Sequence, residues 1–139
     1  MAFFAPLRET KNSMSNTKKI TDAIVAQGIL PLYFNPDETV SVEYTNRGEA
    51  ALSNFKKMVD VRNAEMPSIV LGVGTIKNMQ HAKDYLAAGA DFLVSPGFVP
   101  DVAVHCVAND IFYGPGCMTP TEIIAAENAG IGFIKLFPG

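Results

Sequence analysis

Tryptophan is missing from this 139-residue chain, and cysteine and histidine occur only twice each. Two cysteines, Cys106 and Cys117, cannot build a disulfide framework or a cysteine metal cluster, so stability has to come from an apolar core. The same scarcity fits a reducing compartment, and a cytoplasmic location is expected. No run of Lys or Arg is present, and 11 basic against 14 acidic residues leave a net charge of -3. That balance argues against an electrostatic nucleic-acid or anionic-membrane partner. No apolar stretch approaches the length that spans a bilayer. The opening segment Met1-Ala-Phe-Phe-Ala-Pro-Leu-Arg8 is apolar, but its first basic residue follows the apolar part, the reverse of a signal peptide. Residues 1–14 are therefore read as a loose tail ahead of one domain, 15–139. What the chain does have is 48% hydrophobic residues, with nine Phe and four Tyr, enough for a packed core. Its expected partners are small molecules or further copies of itself.

From Asn16 the pattern alternates between helix and strand. Asn16 or Thr17 can cap a helix carrying Ile20, Ile24 and Val25, which Gly28 ends, and Ile29–Phe34 reads as a first strand. Val42–Arg47 is a second strand, followed by a helix over about 49–65 with Leu52, Phe55, Met58 and Val59 at helical spacing. Strands are then expected at 68–73, 92–95, 111–113 and 132–137, each preceded by a helix, and Thr119-Pro-Thr-Glu122 is a capping box with proline at the first helical position. Repeated strand and helix with apolar strands predicts an α/β fold with a parallel sheet covered on both faces. Ala88-Gly-Ala-Asp-Phe92 and Ala129-Gly-Ile-Gly-Phe133 repeat weakly, both leading from helix end into strand. One connection is short: only Asn35 to Ser41 separate the first two strands, fewer than the dozen or so residues a parallel crossover needs.

Some residues in these strands are out of place. Alternation puts Phe133, Lys135 and Phe137 on one side of the last strand and Ile134 and Leu136 on the other. Lysine is almost never buried without a reason, because desolvation disfavours its charge, and a desolvated amine is a nucleophile suited to imine formation with a carbonyl. A lysine whose stem packs while its ammonium reaches water fits the same pattern. Glu43, Thr45 and Arg47 share one face of the second strand, as they would around a polar pocket or on an edge strand facing solvent. Gly72-Val-Gly-Thr75, Ser95-Pro-Gly97 and Gly114-Pro-Gly116 stand at strand ends, where glycine lets backbone approach a ligand. His81 and His105 lie on helices without companion ligands and read as surface or packing residues.

Taken together, Val42-Glu-Tyr-Thr-Asn-Arg47, Gly72-Val-Gly-Thr75, Val94-Ser-Pro-Gly97, Gly114-Pro-Gly116 and Ile134-Lys-Leu-Phe-Pro138 resemble the 2-keto-3-deoxy-6-phosphogluconate / 4-hydroxy-2-oxoglutarate aldolase family, in the family's order. The resemblance implies a (β/α)8 TIM-barrel type fold, a lysine imine, no metal or other cofactor, a homotrimer, and a 2-oxo acid substrate cleaved to pyruvate and an aldehyde. It implies that Lys135 forms the imine, that Glu43 is the general acid/base, and that Arg47 and Thr75 bind the substrate's carboxylate end. Pro96 and Phe137 match pocket-wall positions. Two departures stand out: the helix between the first strand and the Glu43 strand is lacking, and so are the last two βα units. The expected fold is thus an incomplete barrel of about six strands. The alternative to an active aldolase is a non-catalytic truncated remnant or an incompletely represented chain of one.

Overall fold

The computed structural model describes residues 3–6, 15–27 and 41–138. In chain order the elements are β1 (Phe3–Pro6), α1 (Asn16–Gln27), β2 (Ser41–Thr45), α2 (Ala51–Glu65), β3 (Val70–Gly74), α3 (Met79–Ala87), β4 (Phe92–Ser95), α4 (Pro100–Ala108), β5 (Phe112–Cys117), α5 (Pro120–Asn128) and β6 (Phe133–Leu136). The expected strand Ile29–Phe34, with the short connection after it, lies outside the described residues.

β2 to β6 are parallel, each hydrogen-bonded to the next in sequence. Consecutive parallel neighbours joined through helices are the repeating unit of a (β/α) barrel, here present in part. One expectation is corrected. Residues 1–14 are not wholly a loose tail, because Phe3–Pro6 pairs antiparallel with β6, placing Phe4 opposite Lys135. An unpaired β6 edge would present a row of free backbone groups, and a short strand rich in Phe is suited to cover it.

Local chemistry explains the helix ends. Thr119 Oγ1 accepts from the Glu122 backbone N–H, and the Glu122 carboxylate accepts from Thr119 N at 2.9 Å, so the expected capping box forms. The weak repeat is a shared helix stop. Gly89 and Gly130 take φ of +102° and +85°, and each helix closes with the same pair of bonds: Gly89 N to Leu86 O and Ala90 N to Tyr85 O, then Gly130 N to Glu127 O and Ile131 N to Ala126 O. A side chain at either glycine would strain that left-handed turn.

Two cores lie on opposite faces of the sheet. The larger joins Val42, Leu71, Val73, Leu93, Tyr113 and Ile134 to residues of α2, α3, α4 and α5, including Phe55, Tyr85, Cys106 and Ala126. The smaller sets Ile20 and Ile24 of α1 against Phe92, Val94, Phe112 and Phe133. α1 is fastened there by Asp110, just ahead of β5, whose carboxylate accepts from Asn16 N at 2.6 Å and Thr17 N at 3.3 Å. It therefore closes the face opposite the other helices at the N-terminal ends of the strands.

β5 runs further than expected, through Gly114-Pro-Gly116 to Cys117. Proline cannot donate to a ladder, but β5 pairs with β4 over 112–115 and with β6 at 116–117, so Pro115 falls where pairing changes sides.

Candidate active site

The polar residues of the inner face gather at the C-terminal ends of the strands. Phe92 belongs to the α1-facing core, and its ring occupies the space a Cβ on Gly72 would need, which puts Gly72 on the same face. Gly74, two residues on, is inner as well. A Cβ there would overlap the Glu43 carboxylate, so Gly74 leaves the room into which Glu43 folds. On β6, Phe133 is in the inner core and Lys135 follows it by two. Glu43 and Lys135 thus share the face that alternation assigns them, although 92 residues separate them in sequence.

Their electrostatics are coupled. Burial pushes the Glu43 carboxyl above its ordinary value, and the positive charge of Lys135 partly offsets that rise. Lys135 itself is half-buried, not enclosed, since it stands near the end of β6 where the inner face opens. Its Nζ lies 4.6 Å from the centroid of the Phe137 ring, whose face attracts a cation. A carboxyl that retains its proton more readily, beside an accessible amine, can exchange protons with a carbonyl substrate attacked by that amine.

The other expected site residues stand on the loops around this pair. Arg47 is exposed, two residues beyond the end of β2 at Thr45. Pro96 is exposed in the β4–α4 loop, with its carbonyl where a Cβ on Gly116 would be. Phe137 follows β6 and is 36% exposed. Thr75 is half-buried directly after β3, with φ at +65°. For a β-branched residue this conformation is a strained one, costing about 1–3 kcal/mol, and it persists only where the surroundings impose it.

Those surroundings include a residue the sequence did not single out. Asn46 N donates to Gly74 O at 3.1 Å, and its side-chain Nδ2 lies 3.5 Å from Thr75 O and 3.3 Å from His81 Nδ1. The Tyr85 hydroxyl donates to Asn46 Oδ1 at 2.8 Å, and burial, with Tyr44 and Asp84 adding to it, raises the Tyr85 pKa. His81 is therefore more than a surface or packing residue. The available signal was the period of α3, which puts His81 and Tyr85 four residues apart on one face. Cys106 and Cys117 are buried and free, and burial pushes the Cys106 thiol up to about 12, so it is inert at neutral pH. No group of three or more His, Cys, Asp or Glu arranged to hold a metal occurs among the described residues.

Comparison with known proteins gives this geometry a relationship. The family model for KDPG and KHG aldolase matches residues 10–139. A 2-dehydro-3-deoxy-phosphogluconate aldolase of Zymomonas mobilis is 30% identical over 125 residues, covering 90% of this chain and 53% of that protein. The enzyme of the same name from Treponema pallidum is 42% identical over 74 residues, 53% of this chain and 35% of that protein. The crystal structure of the 2-keto-3-deoxy-6-phosphogluconate aldolase of Zymomonas mobilis ZM4 with 3-phosphoglycerate superposes with a TM-score of 0.58 at 29% identity, over 84% of this chain and 48% of that one. The chain spans about half the length of such relatives, or less. Because the match extends over nearly the whole sequence and the strand order agrees with it, the chain belongs to the KDPG and KHG aldolase family.

Proposed function

We propose that the site performs class I aldolase chemistry, reversibly cleaving a 2-oxo-4-hydroxy acid to pyruvate and an aldehyde. The observation that carries this reading is the placement of Glu43 and Lys135 on one face with their charges coupled, in a chain of this family. Glu43 takes a proton from the Lys135 ammonium, the freed amine attacks the C2 carbonyl, and Glu43 returns that proton to the carbinolamine hydroxyl, which leaves as water. In the resulting protonated imine, Glu43 takes the C4 hydroxyl proton, the C3–C4 bond breaks, and its electrons move into the imine to form an enamine as the aldehyde departs. Protonation of C3 and hydrolysis then release pyruvate and restore the amine. Arg47 and Thr75 bind the carboxylate end, and Pro96 and Phe137 form the wall, with Phe137 also orienting the ammonium. The residues just after β2 and β3 support this assignment of the carboxylate end, since ligands of α/β sheets bind beyond the carboxyl ends of strands.

We further propose a cytoplasmic homotrimer. No helix among the described residues is long and apolar enough to cross a membrane. Val104 and Val107 on α4 and Ile124 on α5 leave apolar side chains 63%, 47% and 55% exposed, which suits a subunit contact.

Borohydride reduction in the presence of pyruvate tests the chemistry. The expected result is a single pyruvyl adduct by intact mass, mapped to Lys135 and lost in Lys135→Ala. An adduct that persists in that variant, or no adduct on the unaltered protein, overturns the assignment.

A further inference from the structure

We propose that Asn46 is the positioning residue of the carboxylate end, holding Thr75 in the left-handed conformation that presents it to the substrate. The proposal rests on the aldolase reading for the identity of the ligand, but the hold itself is read from geometry. Asn46 is adjacent to Arg47 and links the ends of two neighbouring strands. Its backbone N–H meets Gly74 O at 3.1 Å and its side-chain amide faces Thr75 O at 3.5 Å, so it grips consecutive carbonyls on either side of the turn.

The amide can sit only one way round. A backbone carbonyl accepts and never donates, so Nδ2 must face Thr75 O, and Oδ1 must face Tyr85. The Tyr85 hydroxyl, 2.8 Å away, is then the donor. His81 Nδ1, 3.3 Å from Nδ2, is the second acceptor, which places the ring proton on Nε2. Tyr85 is buried in the outer core, with its ring 5.2 Å from Phe55, so the amide is anchored in rigid packing on the helical side of the sheet. On the far side of the turn, Ile76 N donates to Val94 O at 3.1 Å. Thr75 is therefore pinned from β4 after the turn and from Asn46 across it, and an alanine at 46 would remove the amide's grip on Thr75 O while leaving the backbone bond to Gly74 O.

The experiment has two readouts on the same proteins. The first is the pair of backbone and side-chain 13C shifts of Thr75, Cα and Cβ, by NMR without any ligand. Asn46→Ala is expected to move them out of the left-handed range, and shifts that stay unchanged overturn the hold. The second is the pyruvate concentration that half-saturates borohydride trapping at Lys135. In Asn46→Ala it should rise about tenfold or more, while trapping at saturating pyruvate stays within about twofold, the pattern of lost binding and not of lost chemistry. Tyr85→Phe, which keeps the ring and removes the donor, should shift half-saturation the same way by a smaller factor. In a Thr75→Gly background, where glycine adopts the turn without help, Asn46→Ala should add less than about threefold. An unchanged half-saturation in Asn46→Ala, or a full tenfold effect in the glycine background, refutes the positioning role. Failure of the unaltered protein to trap pyruvate would bring down the aldolase reading and the carboxylate assignment with it, while the Thr75 shifts would still decide whether Asn46 holds the turn.

Discussion

The two ends of the inner face are built from the same strands by opposite choices. At the N-terminal end the inward positions are large: Phe92, Phe112 and Phe133, with Val70 beside them and Ile20 and Ile24 of α1 laid over them. At the C-terminal end the inward positions of β3, β5 and β6 become Gly74, Gly114, Gly116 and Lys135, and β2 contributes Glu43. One end is filled and closed; the other is emptied of side chains so that a carboxylate and an amine can share it. Stability and chemistry are thus separated along each strand by about 7–14 Å, two to four residues of rise.

The sharpest test of this division is Glu43→Gln. Exchange of pyruvate methyl protons with deuterium should fall about 10²–10⁴-fold, the range for loss of a general acid or base. Stability should move the other way. Burial raises the folded-state pKa of Glu43 above its ordinary 4.5, so the stability linked to its proton is complete below about pH 4.5 and is lost as pH rises through the folded value. Glutamine carries no such penalty. The variant should therefore unfold at higher denaturant than the natural protein near neutral pH, with the advantage fading as the pH is lowered towards 4. An advantage independent of pH would show that packing, and not ionisation, is responsible.

At the closed end the expectation is reversed. Phe112→Ala empties the centre of a cluster in which its ring lies 5.9 Å from Phe92 and 5.3 Å from Phe133, and should cost about 3–5 kcal/mol in equilibrium unfolding. Exchange per folded molecule should change little, since no proposed catalytic group touches that ring. A large loss of exchange under conditions where the variant remains folded would mean that the two ends are not separable.

The smallest effect is expected away from the inner face altogether. Thr119→Ala removes the capping hydroxyl of α5 and should cost about 1 kcal/mol, with pyruvate trapping unaffected. The capping box was plain in the sequence because it is local: four consecutive residues satisfy one another. The same holds for the glycine stops at 89 and 130, and for the alternation that put Glu43 and Lys135 on inward faces.

Alternation guides only as far as the ladder runs. Arg47 continues the period of Glu43 and Thr45, but the last bond between β2 and β3 is Asn46 N to Gly74 O at 3.1 Å, Thr75 then turns to positive φ, and Arg47 stands exposed beyond it. Asn46 had no sequence signal of its own, because its partners are 29, 35 and 39 residues away on β3's turn and α3. β1 was read as tail for a similar reason: a four-residue strand is recognisable only from the β6 edge it pairs with.

What the sequence by itself determined is everything that acts within a few residues of the chain: helix starts and stops, the alternation of strands and helices, the face on which each strand carries its odd polar residue, and the set of motifs that place the chain in its family. Tertiary structure alone decided that α1 closes the phenylalanine end, that Gly74 accommodates the Glu43 carboxylate, that Lys135 is half open to the mouth, and that Asn46, Tyr85 and His81 meet around Thr75. The physical reason is range. Backbone preference and periodicity are read from neighbouring residues, whereas burial, charge coupling and a strained turn exist only once segments tens of residues apart have packed together.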